Sequence, residues 1–182
     1  MKKEQTASQS VDVQIHFTNN AKVGKADQTL LSSLAAGIQC TNRLMDMPAN
    51  MFGPNAFVDH AVALADRLGA ARTVIRGEDL RTRGFGGIFH VGKASAEPPA
   101  LVVLSHAPAG ATTTYALVGK GITYDTGGMQ IKDKEGMISM KRDMGGAAAL
   151  MNAFEILVAS KFSQNLHVVL CIAQNDVSNT AK

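Results

Sequence analysis

Between Val118 and Ala149 the sequence VGKGITYDTGGMQIKDKEGMISMKRDMGGAAA places two amines, Lys120 and Lys132, and two carboxylates, Asp125 and Asp143, among glycines at 121, 127, 128 and 136. Amines and carboxylates brought together on Gly-rich connections can hold cations, stabilise a developing negative charge or move protons. Open α/β sheets keep such groups in the loops that leave the carboxyl ends of buried strands. Each residue also has a local role open to it. Asp143 could cap a helix beginning at Met144, and Lys120 could be a solvated strand end. Asp125 could serve the turn before Gly127, and Lys132 could be one charge in a run with Asp133 and Lys134. The connection between strand and helix, residues 121–142, reads as a loop of about 22 residues with little regular structure. Loops of that length inside a domain are usually functional.

The surrounding pattern supplies elements to position these groups. Residues 115–120 read as a strand, and residues 144–159 as a helix whose Gly145, Gly146 and three alanines suit close packing. Val11 to Phe17 alternates apolar and polar residues, the pattern of a half-buried strand. Apolar residues from Thr29 to Met45, including Leu30, Leu31, Leu34 and Ile38, recur at helical spacing, and Pro48 marks the stop. Gly53 and Pro54 open a second helix with Phe57, Val58, Ala61 and Leu64 on its apolar face and Gly69 as its C-cap. A short strand follows at 73–75, a brief helix at 77–83 and a flexible Gly-Phe-Gly-Gly at 84–87. Strands are expected at 100–105 and 166–173. The strands at 100–105 and 115–120 fit a hairpin of sheet neighbours. Alternating strands and helices predict a three-layer α/β/α fold with a mixed, mostly parallel sheet.

Composition excludes several classes. The 182 residues, 46% of them apolar and 18% charged, are ample for one domain with a real core. A net charge of +3 with scattered basic residues gives no nucleic-acid footprint. Cys40 and Cys171 stand far apart, so neither a disulfide framework nor a thiolate zinc site is indicated, and a reducing, cytoplasmic setting is expected. No run has the length of a membrane span, and the first ten residues lack the apolar segment of a signal peptide. The five histidines show no metal-type spacing. Gly87, Gly92 and Lys93 have the spacing of a phosphate loop, but Ala94 has no hydroxyl for Mg²⁺, and Pro98 and Pro99 would stop the helix such a loop needs.

VGKGITYDTGG, then Lys132, then MKRDMGGAAA resembles the signature of the leucyl (cytosol) aminopeptidase family, dinuclear metal exopeptidases that remove N-terminal residues from peptides. TRGFGGIFHVGKAS and the strand PPALVVLSH are similar to its probable-aminopeptidase-like branch. The likeness runs from about Thr29 to Val177 and corresponds to about the first half of the family's catalytic domain, with residues 1–28 in place of its N-terminal domain. The resemblance implies that Lys120, Asp125 and Asp143 are metal ligands, with Asp125 bridging two ions. It implies that Lys132 is the catalytic lysine and that Met140 lines the pocket for the substrate's first side chain. The implied cofactors are two divalent ions, Zn²⁺, Mn²⁺ or Mg²⁺. The implied partners are peptides with a free N-terminus and further copies in a hexamer; neither a membrane nor a nucleic acid is among them. Such ions hold a hydroxide at neutral pH and polarise the scissile carbonyl, while a protonated lysine stabilises the oxyanion. A lysine can itself ligate only through its neutral amine.

The family's later Asn-Thr-Asp-Ala-Glu-Gly-Arg segment, with two further carboxylate ligands and an arginine that holds bicarbonate, has no counterpart before Lys182; Glu135 and Asp176 match no family position. The expectation is therefore weak or no peptidase activity for this chain alone, with a non-catalytic binding or structural subunit as the other reading.

Overall fold

A computed structural model describes residues 10–14, 16, 18 and 22–179. Helix α1 (Lys25–Asp46) ends at Met47, just before Pro48, and α2 (Pro54–Leu68) begins with proline at its first position and ends on Gly69 in the left-handed conformation. The first N–H groups of α2 are not left bare, because the Glu97 carboxylate accepts the Asn55 N–H at 2.7 Å. Then come β1 (Ala71–Arg76), α3 (Glu78–Thr82), α4 (Gly86–Gly92), β2 (Ala100–His106) and β3 (Thr114–Asp125). They are followed by α5 (Lys134–Met137), a 3₁₀ turn (Met140–Arg142), α6 (Gly145–Ala159) and β4 (Asn165–Asn175).

The four strands form one mixed sheet in the order β1-β2-β4-β3. Three strands run one way and β2 runs against them: β1–β2 and β2–β4 pair antiparallel, β4–β3 parallel. Helices lie on both faces, as the α/β/α reading requires. On one face Leu166, Val168, Leu170 and Ile172 of β4 are buried in a core shared with Phe57, Met151 and Phe154 of α2 and α6. On the other, Val169 and Cys171 pack toward Ile75, Leu80 and Leu101, joined by Ile88 and Phe89 of α4.

Four sequence expectations need correction. β2 and β3 are not hairpin neighbours, because β4 lies between them. Residues 107–113 easily cross the gap of two strand spacings, about 10 Å, and β4 is apolar on both faces, so the centre is where it buries most. Residues 84–87 are not simply a flexible link. Gly86 starts α4, whose packing against Leu80 and Leu101 overrides the low helix propensity of glycine. The Phe89 N–H donates to the Phe85 carbonyl and closes its first turn. The connection after β3 is shorter and more ordered than expected, since the strand continues to Asp125 and α5 and the 3₁₀ turn follow.

The fourth correction concerns the alternating segment at 11–17. Its described residues form no strand, and Val11 and Val13 are 78% and 77% exposed; Ile15 and Phe17 lie outside the described residues. The first part of the apolar stripe of α1 forms as a helix face but is not buried, since Leu30, Leu31, Leu34 and Ile38 are all exposed, while Cys40, Leu44 and Met45 near its end reach the core.

Candidate metal and active site

The candidate residues lie on the second half of β3 and on the segment that follows it. The parallel pairing sets Lys120 opposite Cys171 and Asp125 opposite Asn175, so both strands deliver polar side chains to one carboxyl end. Helix α6 comes very close beneath: a Cβ on Gly119 would lie 2.6 Å from the Ala147 Cα. Only glycine permits that approach, and it brings the Asp143–Met144 corner within reach of Lys120. After Asp125 the chain turns through Gly127, at φ +90°, where a Cβ would strike the Gln130 carbonyl. That turn returns Lys132 to the strand end, its N–H donating to the Thr126 carbonyl at 2.9 Å.

Two ion pairs result. Lys132 Nζ donates to Asp125 Oδ2 at 2.5 Å, and Lys120 Nζ lies 2.9 Å from Asp143 Oδ2. Asp125 is the more tightly held carboxylate. Its Oδ1 accepts the Gly127 N–H at 2.9 Å and the Asn175 amide at 2.7 Å. Burial by itself would raise the Asp125 carboxyl, but Lys132, the Gly127 N–H and the Asn175 amide together hold it below the usual carboxylate range. Asp143 does not cap α6, which has no side-chain cap, and its Oδ2 is buried without a hydrogen-bond donor. The Lys120 contact is a charge contact and not an aligned hydrogen bond. The Lys120 ammonium is therefore the charge that balances this buried carboxylate oxygen.

Lys120 and Asp125 also face a cleft of about 550 Å³ between β3 and α4, walled by Ile88, Val91, Val118, Ile122 and Cys171, with Asn175 at its end. Lys132 and Met140 are not among the cleft's lining residues; Met140 is half-buried at the start of the 3₁₀ turn. Burial pushes the Cys171 thiol up, which keeps it protonated. Glu135 is exposed in α5, and Asp176 is engaged by Gln174. His106 and His167 are occupied by the Phe162 carbonyl and the Ser105 hydroxyl. Among the described residues no three His, Cys, Asp or Glu side chains lie together as a metal site. The two carboxylates are hard anionic donors, each held by a lysine, Asp125 by Lys132 and Asp143 by Lys120, and neither pair is a metal shell by itself.

The residue that sequence reasoning missed is Asn175. Its signal was the parallel register, which cannot be seen until β4 is known to lie beside β3.

A mixed sheet flanked by helices, with paired amines and carboxylates on its edge strand β3 and the segment after it, places the chain in the α/β class. The chain belongs to the cytosol aminopeptidase family, whose catalytic domain it matches over residues 39–182. It is 53% identical to leucine aminopeptidase 1 of Caenorhabditis elegans over 160 residues, 88% of this chain and 33% of that protein. It is 47% identical to the human probable aminopeptidase NPEPL1 over 90% of this chain and 31% of that protein.

Solved structures agree. The C. elegans leucine aminopeptidase superposes with a TM-score of 0.84 over 88% of this chain and 33% of its own. A Trypanosoma brucei leucyl aminopeptidase in complex with bestatin gives 0.80 at 40% identity, covering 85% and 30%. The bottromycin maturation enzyme BotP in complex with Mn gives 0.81 at 33% identity, covering 88% and 35%. The chain thus spans about a third of the length of these relatives.

Proposed function

We propose that this chain carries part of the active site of a metal-dependent aminopeptidase, with Lys120, Asp125 and Asp143 as ligands and Lys132 as the catalytic lysine. The observation that supports this most is the pairing of all four side chains, Lys120 with Asp143 and Lys132 with Asp125, between β3 and the segment that follows it. Divalent ions bound there would supply an activated water and polarise the scissile carbonyl. The protein's own contribution is positional. Asp125 and Asp143 provide hard anionic oxygens, and the Lys132 ammonium, released from Asp125 when a cation takes its place, donates to the carbonyl oxygen as negative charge builds there. Met140 is proposed to border the side chain of the substrate's first residue.

The substrates are proposed to be peptides with a free N-terminus, handled in a cytoplasmic hexamer. No helix among the described residues is long and apolar enough to cross a membrane. That no three His, Cys, Asp or Glu side chains group together among the described residues supports the reading of weak or no turnover by these 182 residues alone, and a binding or structural role would be the consequence. Hydrolysis of an N-terminal leucyl amide by the isolated chain is the test. Turnover in the ordinary enzyme range, about 1 s⁻¹ or more, would refute the expected weakness. Loss of any residual rate in Lys132→Ala would support the lysine's role.

A further inference from the structure

We infer that Asn175 is a positioning residue that selects which oxygen of Asp125 meets the cation, an inference that rests on the metal-site reading above. Oδ1 of Asp125 receives two N–H donors, from Gly127 at 2.9 Å and from Asn175 at 2.7 Å, while Oδ2 receives only the Lys132 ammonium. An ionised carboxylate oxygen has two lone pairs in its plane, so Oδ1 is saturated. Once Lys132 withdraws, Oδ2 is the oxygen with open lone pairs. Without Asn175, the carboxylate is tied by one backbone N–H and can swing about its terminal torsion, which is broad and nearly two-fold. The Asn175 amide thus converts a rotor into a fixed ligand, the kind of outer contact that orients metal-binding side chains elsewhere.

The contact is separable from the fold. The strand ends are joined by the Asn175 backbone carbonyl, which accepts the Thr126 N–H at 2.9 Å and the Thr126 hydroxyl at 2.7 Å. A side-chain substitution leaves both bonds in place. Asn175 also stands in register with Asp125, so its amide reaches the carboxylate without a long flexible stem.

The test is Mn²⁺ binding to the full chain, followed by electron paramagnetic resonance, with thermal melting measured in parallel. Asn175→Leu keeps the side-chain volume but removes the donor. Its Mn²⁺ dissociation constant should rise about tenfold or more, as expected for loss of an orienting contact, while its melting temperature stays near that of the wild type. Asn175→Ala should show the same weakening and serves if the leucine form does not fold. Affinity unchanged in a folded variant would overturn the role of Asn175 while leaving the metal site standing, provided Asp125→Ala abolishes binding. Wild-type protein that binds Mn²⁺ no better than Asp125→Ala would overturn both.

Discussion

Asp125 carries more of the site than any other residue, because three separate elements meet on its carboxylate: Lys132 from the following loop, Gly127 from the turn and Asn175 from the neighbouring strand. Removing it as Asp125→Ala should abolish divalent-ion binding and leave Lys132 without its partner. Lys132→Ala should behave oppositely. It vacates Asp125 Oδ2, so metal affinity should hold or improve while any peptidase rate collapses, and loss of metal in that variant would contradict the role assigned to the lysine. Lys120, Asp125, Lys132 and Asp143 were singled out as candidates in the sequence, by their place on Gly-rich connections and by the family resemblance, and they pair as Lys120 with Asp143 and Lys132 with Asp125. Asn175 was not, since an asparagine at the end of a strand is ordinary until its neighbour is known. Asp125 also fills the local turn role open to it, for the same carboxylate that faces Lys132 caps the Gly127 turn.

Among the elements, the close contact of α6 with β3 matters most to the site. Gly119→Ala would push a methyl against Ala147 and force the helix outward, at a cost of about 1–3 kcal/mol. The melting temperature should fall by roughly 2–4 °C per kcal/mol for a domain of this size. A fully wild-type melt would show that the helix has room to move.

A second element-scale prediction concerns α2, where burial, then Arg43 and Arg67, lower the His60 pKa against the opposing pull of Glu155. The folded state therefore resists protonating a group that the unfolded chain protonates below about pH 6.5. Stability from this residue is complete above that pH and is lost as pH falls from there through the lower folded value. His60→Gln should flatten that part of the stability profile, as urea melts between pH 7 and pH 5 would show. Helices α1 and α2 were readable from their apolar period with Pro48, Pro54 and Gly69 as bounds, and α6 from its small residues. Helix α4 was not, because its glycines favour coil and only its contacts with Leu80 and Leu101 hold it.

At the scale of the whole molecule, the described residues form a four-stranded α/β unit, and the chain spans about a third of its relatives' length. Alternating periods and a dense motif sufficed, from the sequence alone, for the α/β class, the family and the four charged residues. Such signals are local, written within a few turns or one loop. Strand order, the placement of β4 between β2 and β3, the exposure of the α1 stripe and the partner of Asp125 were decided by the tertiary structure. They depend on which apolar faces bury the most surface once all elements compete, and on a register between residues about 50 positions apart. No short-range pattern encodes the outcome of that competition.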